Sequence, residues 1–317
     1  MRALPSLRQL RYLVAVIELR HFSRAAEACL VTQSTLSAGI RELEDLLGVT
    51  LFERTKRSVT PTPIGLEIGE EAKSLLRDAE RLLDIAEATH KPLSSSLRLG
   101  VIPTIGPYAL PQALPGLRAR FPKLRLYLRE DQTARLLDQL GDGELDAVLM
   151  ALPWETPDLE VMTLIDDPFF VVSSRLHPFA GAGAGAGAVG AVDVAALRPP
   201  HLAADDLLLL EEGHCMREHA LAACALSRGG RARAFQATSI YTLVQMVANG
   251  LGVTLLPSIA VNSEALAAAG IEARRLVGDP GRSIGLVWRR RSPRAAEYRL
   301  LGSILKEQML AARGASG

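Results

Sequence analysis

Cys215 and Cys224 stand nine positions apart in the run Glu211-Glu212-Gly213-His214-Cys215-Met216-Arg217-Glu218-His219-Ala220-Leu221-Ala222-Ala223-Cys224, and the chain's one other cysteine is Cys29. A thiol can do redox chemistry, bind metal or simply pack as a small hydrophobe, and its surroundings choose among these. The Ala and Leu content of 216–224 predicts a helix. Nine helical residues separate two Cα atoms by roughly 13 to 14 Å along the axis and about half a turn around it. A disulfide needs them within about 4.4 to 6.8 Å. A bond between Cys215 and Cys224 must therefore unwind or rebuild local structure, which turns covalent chemistry at one thiol into a conformational change.

The two thiols differ in setting. Gly213-His214 interrupts the apolar run Leu207 to Leu210 and places Cys215 at or near a helix N-terminus, where the macrodipole and free N–H groups favour a thiolate. His214 and Arg217 add positive charge beside it. Cys224, between Ala223 and Ala225, has no adjacent basic residue and reads as a resolving or packing thiol. Cys29, within Ala25-Ala26-Glu27-Ala28-Cys29-Leu30, reads as a small buried hydrophobe. The same reading stays open for Cys215. A metal site from His214, Cys215, His219 and Cys224 fits no zinc spacing and lacks a second cysteine pair, so no metal and no cofactor is expected.

The elements that must position these residues can be read from the rest of the chain. Its 317 residues suffice for two or three domains with real cores. No uncharged apolar run reaches the ~18 residues of a membrane span, and charges throughout Met1 to Arg20 exclude a signal-peptide pattern. A cytoplasmic location is expected, where a disulfide is more a signal than a support. The near-zero net charge hides an asymmetry. Residues 1–65 hold nine Lys/Arg against six Asp/Glu, and the remainder of the chain's 36 and 35 is 27 against 29. The basic end is the candidate for a polyanion.

Leu7, Leu10, Leu13, Val14 and Ile17 recur at helical spacing and predict a helix ending near Arg20-His21. A second helix is expected from Ser23 as N-cap through Leu30. Thr32 would cap a third, with the apolar face Leu36, Ile40, Leu43 and Leu47 and Gly48 as its stop. Two short helices joined by a tight turn form a helix-turn-helix. The start of its last helix reaches into the major groove. Here that start offers Thr32, Gln33, Ser34, Thr35 and Ser37, with Arg41 a turn further. Leu51 to Thr62 reads as a β-ribbon wing whose Arg54, Lys56 and Arg57 suit phosphate contacts.

Beyond Gly65, Ala72, Leu75, Leu76, Ala79, Leu82, Leu83 and Ala86 make an apolar stripe near heptad spacing on a long helix that wants a partner. Thr89 to Ser96 reads as a hinge. From Leu97, short strands (97–102, 124–128, 147–150) alternate with helices (108–121, interrupted by prolines, and 134–140), which predicts a parallel α/β sheet. Ligands of such sheets bind beyond the carboxyl ends of strands, where Thr104 and Thr133 would face a cleft. Ala180 to Ala188, alternating Ala and Gly, reads as a mobile surface loop of no assigned function.

Taken together, Phe22-Ser23-Arg24-Ala25-Ala26, Thr32-Gln33-x-Thr35-Leu36-Ser37-x2-Ile40-x2-Leu43-Glu44-x2-Leu47-Gly48 and Leu51-Phe52-x-Arg54 resemble the winged module of LysR-type transcriptional regulators. Two positions depart. Ser34 stands where the family usually has Pro, and Gly39, where Gln is frequent, would remove a long polar side chain from the recognition helix. Ile102 to Tyr108, Phe121 to Leu124, Glu211-x-Gly213-His214-Cys215-x-Arg217 with Cys224, Ala237-Thr238-Ser239 and Thr254 to Pro257 extend the likeness to the family's peroxide-sensing members over nearly the whole chain.

That resemblance implies a DNA-binding domain at 1–65, a linker and dimerisation helix with hinge at 66–92, and a periplasmic-binding-protein-like regulatory domain at 93–317. The regulatory domain would hold two α/β subdomains, 93–172 plus 282–317 and 173–281. It further implies a regulator, not an enzyme, that senses hydrogen peroxide by joining Cys215 to Cys224. Thr104, Thr133, His214, Arg217 and Arg282 would line the peroxide pocket. Promoter DNA, further copies of the chain as dimer or tetramer, and RNA polymerase would be its partners. The alternatives are a LysR-type regulator gated by a small anionic metabolite near Thr104 and Thr133, and a thiol peroxidase, for which a DNA-binding module has no use.

Overall fold

The computed structural model describes residues 3–54, 59–90, 92–175, 191–197, 206–211, 214–223, 237–263 and 270–315. They fall into two compact units, Met1–Glu87 and Ala88–Gly317. The Ala/Gly run at 180–188 lies outside the described residues, as does Cys224.

The first unit contains α1 (Leu7–Leu19), α2 (Phe22–Ala28), α3 (Gln33–Leu47), β1 (Phe52–Arg54), β2 (Val59–Pro61) and most of α4 (Pro63–His90). Ser6 and Gln9 form a capping box at the start of α1, and Arg20 closes it in the left-handed region at φ 50°. The expected cap of α2 is corrected. His21 takes that role by accepting from the Arg24 N–H, while Ser23 sits inside the helix and donates its hydroxyl to Gln33 Oε1 at 2.9 Å. Thr32 caps α3 by accepting from the Thr35 N–H at 3.2 Å, and Gly48 ends it at φ 71°.

Leu36, Ile40 and Leu43 are fully buried and share a core with Leu10, Leu13 and Val16. Each such side chain contributes roughly 1.5–3 kcal/mol by leaving water, so α3 is held by packing and its opposite face stays free. The wing is anchored from α3 as well. Glu44 Oε1 accepts the Leu51 N–H at 2.8 Å, and the Phe22 and Phe52 rings meet edge to face at 6.1 Å. β1 and β2 pair antiparallel, Phe52 opposite Pro61.

The long helix starts at Pro63, ahead of the expected 66, because a proline in the first turn forfeits an N–H that would be unpaired anyway. Its stripe divides. Ala72 is buried in the first core, but Leu75, Leu82 and Leu83 are 53%, 69% and 68% exposed.

The second unit runs β3 (Ser96–Val101), α5 (Gly106–Arg120), β4 (Arg125–Glu130), α6 (Thr133–Gly141), β5 (Ala147–Leu152), β6 (Leu159–Ser174), β7 (Leu207–Leu208), α7 (Cys215–Ala223), α8 (Ile240–Ala248), β8 (Val253–Pro257), α9 (Ser258–Val261), β9 (Ile271–Arg275), β10 (Gly281–Arg289) and α10 (Ala295–Ala315). Strand order is β4-β3-β5-β10-β6-β8-β7, with β9 also paired to β6. β3 runs parallel to β4 and β5, and β7 to β8, whereas β6 and β10 are antiparallel to their neighbours. The parallel pairing expected of the strands at 97–102, 124–128 and 147–150 is present in β3, β4 and β5, and β6 and β10 make the sheet mixed as a whole. The prolines expected to interrupt the helix after β3 lie inside it instead. Pro111 and Pro115 are on its exposed side, where water can take the carbonyls that lose an N–H.

β6 spans both halves of the unit. Its first part pairs with β10, and from Phe169 it pairs with β8 and β9. Two apolar cores follow this division. One gathers Leu99, Val148, Leu149, Leu286 and Leu301, the other Val171, Leu208, Val244 and Leu255.

Candidate functional site

The two cores meet at α7. Cys215, its first residue and 4% exposed, packs with the first core, which also contains Ile102 and Ile105. Met216, fully buried, packs with the second. The start of α7 is therefore a wedge between the halves, and displacing it disturbs both. The predicted helix at 216–224 is present through Ala223. Eight helical steps set Ala223 roughly 12 Å along the axis from Cys215, well beyond disulfide range.

Thr104, in the turn after β3, and Arg282, the second residue of β10, are brought together. Arg282 Nη1 donates to Thr104 Oγ1 at 2.9 Å and Nη2 to the Thr104 carbonyl at 3.1 Å. Asp167, which the sequence reading missed, completes the group. Its Oδ2 accepts from Arg282 Nε at 3.0 Å and its Oδ1 from the Ile259 N–H at 2.9 Å. Both side chains of this ion pair are wholly buried. Each charge would be costly there alone.

The strands make the pair. Arg282 on β10 lies in register with Asp167 on β6. The preceding Gly281 lets them approach, because a Cβ on it would come within 2.5 Å of the Pro168 Cα. The only local sign of Asp167 is a pair of adjacent aspartates, Asp166 and Asp167, in a largely apolar strand; the partners of Asp167 lie 92 and 115 residues away.

Thr133 is the first residue of α6 and 1% exposed, and its hydroxyl is buried with no hydrogen-bond partner among the described residues. A small ligand able to hydrogen-bond would satisfy it. His214, 8% exposed, precedes α7 with its Nε2 3.8 Å from the Glu211 carboxylate. Arg217 turns its guanidinium back to the Leu210 carbonyl at 3.3 Å. Among the described hydrogen bonds, neither His214 nor Arg217 is joined to the Thr104–Arg282–Asp167 group.

His219 stands one turn beyond Cys215, and among the described residues no cluster could hold a metal. It is 8% exposed, and its Nε2 lies 2.8 Å from the Pro153 carbonyl. Burial pushes its pKa below the usual 6.5, helped by the Arg282 charge and opposed by the Pro153 hydrogen bond and Glu218. A carbonyl only accepts, so Nε2 carries the proton and donates it, leaving Nδ1 bare and without a partner.

In the first unit Thr32, Gln33, Ser34 and Thr35 are exposed around the first turn of α3 and Arg41 further along it, with Ser37 partly so. Thr32 Oγ1 holds the hydroxyls of Ser34 and Thr35 at 2.9 and 2.8 Å. The expectation for Gly39 is corrected. It is buried, and a Cβ there would lie 2.8 Å from the Tyr12 ring, so this position faces α1 rather than the exposed recognition surface. Of Arg54 only the backbone in β1 is described, and Lys56 and Arg57 lie outside the described residues.

A bacterial regulatory helix-turn-helix of the lysR family matches residues 7–66, and the LysR substrate binding domain matches 90–310. The chain is 40% identical over 304 residues, 96% of each protein, to the DNA-binding transcriptional dual regulator OxyR of Escherichia coli K12. A full-length OxyR cysteine variant from Pseudomonas aeruginosa superposes with a TM-score of 0.68 at 37% identity, covering 97% of this chain and 95% of that one. An OxyR cysteine variant from Corynebacterium glutamicum, H2O2-bound, does so with 0.63 at 36% identity, covering 99% and 97%. A winged helix-turn-helix module joined to a two-part α/β regulatory domain, matched to these families over almost its full length, identifies this chain as a member of the LysR family of transcriptional regulators.

Proposed function

We propose that the chain is a DNA-binding regulator that senses hydrogen peroxide through Cys215 and Cys224 and switches the expression of oxidative-stress genes. The observation that carries this reading is the placement of Cys215, buried at the start of α7 where the two cores meet. The unpartnered Thr133 hydroxyl and the Arg282–Thr104 pair support a small polar pocket for peroxide. The H2O2-bound Corynebacterium structure supports the same ligand class.

In the first step the Cys215 thiolate attacks one peroxide oxygen, the O–O bond breaks, and the departing hydroxide takes a proton and leaves as water. The product is a sulfenic acid. The Cys224 thiol then attacks that sulfur, forming the disulfide and releasing a second water. Peroxide is consumed stoichiometrically, so the protein is a regulator and not a catalyst. Thr104, Thr133, His214, Arg217 and Arg282 are the pocket residues of this proposal.

Thr32, Gln33, Ser34, Thr35, Ser37 and Arg41 read promoter DNA from α3, and Arg54, Lys56 and Arg57 of the wing contact phosphates. The exposed Leu75, Leu82 and Leu83 support pairing of α4 with a second copy, within a dimer or tetramer that engages RNA polymerase. Residues 1–65, 66–92 and 93–317 serve as DNA-binding, linker and regulatory parts. Among the described residues no helix is long and apolar enough to cross a membrane, which agrees with a cytoplasmic site of action.

The reading gated by an anionic metabolite is disfavoured because Asp167 already neutralises Arg282. The test is a footprint on promoter DNA before and after one equivalent of peroxide. Consumption of two thiols and a shifted footprint, both lost in Cys215→Ser, support the proposal. A footprint that shifts equally in Cys215→Ser refutes it.

A further inference from the structure

Release of α7 is required by the redox step, and the contacts that hold this helix in place include two kinds. Apolar packing engages Cys215, Met216, Ala220 and Leu221. A side-chain hydrogen bond reaches across to the other half of the unit, from His219 Nε2 to the Pro153 carbonyl, just past β5, at 2.8 Å. The polar contacts of Arg217, to His214 and Leu210, stay within the segment that carries α7.

His219 itself has no second anchor among the described residues, since its Nδ1 is buried and unpartnered. The ring is thus held by one bond, on the fourth residue after Cys215 and hence on the same face of the helix. Such a bond is directional, breaks in one step, and leaves a carbonyl that water can take up once the helix moves, because Pro153 lies at the surface.

We propose that His219 is a positioning residue that latches α7 onto the loop after β5, and that breaking its bond to Pro153 gates the conversion of the Cys215 sulfenic acid to the Cys215–Cys224 disulfide. This rests on the peroxide-sensing reading above. The latch takes no part in the attack on peroxide, which occurs with α7 still docked. It acts on the second step, in which the Cys224 thiol displaces hydroxide from the Cys215 sulfenic acid and water leaves. A group that stabilises only the docked helix slows that step and favours the reduced form.

The test compares the full-length chain with its His219→Ala and His219→Gln variants, each checked for a native circular dichroism spectrum. Glutamine keeps an N–H donor near the position of Nε2 and serves as the rescue. Sulfenic acid formation is timed by a dimedone-type trap in a Cys224→Ser background. Disulfide formation is timed by thiol counting after one equivalent of peroxide, and its equilibrium is measured against glutathione. One neutral hydrogen bond corresponds to about a fivefold change.

His219→Ala should leave trapping within about twofold, while disulfide formation quickens about fivefold and the equilibrium moves toward the disulfide by a similar factor. His219→Gln should return both toward the parent. Equal changes in both steps, no change in the second, or no rescue by Gln overturns the latch. If the parent chain forms no Cys215–Cys224 disulfide at all, the peroxide-sensing reading fails and the latch with it, and the control arm alone reveals that.

Discussion

Removing the charge of Asp167 without changing its size is the sharpest perturbation of the regulatory unit. Asp167→Asn leaves the Arg282 guanidinium buried, with both side chains wholly shielded from water. Parting a buried ion pair in this way costs about 3–5 kcal/mol, most of it from the unpaired charge left behind. Here Asp167 also accepts the Ile259 N–H at 2.9 Å, a contact the amide oxygen can keep, so the loss falls on the charge rather than on the backbone. Arg282→Met in turn strands the carboxylate and should cost a similar amount. The double variant leaves neither charge, so it should be less damaging than the sum of the singles by about 2–3 kcal/mol. Urea unfolding of the reduced protein, followed by circular dichroism for all four chains, gives this coupling directly. Single variants costing under about 1 kcal/mol, or a double equal to the sum, would refute the claim that this pair is a buried, mutually dependent bolt between β6 and β10.

Three further outcomes are expected. His219 has a folded pKa below its unfolded 6.5, so the unfolded chain takes up the proton first. Its contribution to stability is complete above about pH 6.5 and is lost as pH falls toward the folded value; with Arg282, Glu218 and Pro153 left in place, His219→Gln should flatten the stability slope just below that pH. Leu82→Glu/Leu83→Glu, at positions 69% and 68% exposed within one chain, should keep a native circular dichroism spectrum but reduce the assembly seen by sedimentation; an unchanged mass would remove α4 as the pairing surface. Gln33→Ala should weaken specific operator binding by about 1–3 kcal/mol while leaving nonspecific binding and its salt slope unchanged, whereas equal losses on both would place Gln33 away from base edges.

What could be read from sequence was what depends on neighbours along the chain. Thr32 and Gly48 cap α3 as expected because a cap is made within three or four residues, and Leu36, Ile40 and Leu43 reveal their face by spacing alone. Ser23 misled because its hydroxyl was claimed by Gln33, ten residues on, while an imidazole two residues earlier took the cap. Gly39 misled for a similar reason, since whether a helical position faces DNA or a neighbouring helix depends on Tyr12 of α1.

Within the site, Thr104 and Arg282 could be named from the resemblance, but their hydrogen bonds span 178 residues and carry no local trace. Asp167 was missed because an acidic residue in a strand ordinarily faces water, and only the register of β6 against β10 turns it inward. The bond from His219 to Pro153 was equally hidden, since a histidine in an Ala-rich helix does not reveal which carbonyl it meets.

Joining Cys215 to Cys224 should dismantle α7. Hydrogen exchange of the amides from Met216 to Ala223, read before and after one equivalent of peroxide, reports this. Expected are protected amides in the reduced chain, loss of that protection as the disulfide forms, and full retention in Cys215→Ser. A Cys215–Cys224 disulfide confirmed by mass spectrometry in a protein whose α7 amides remain protected would contradict it.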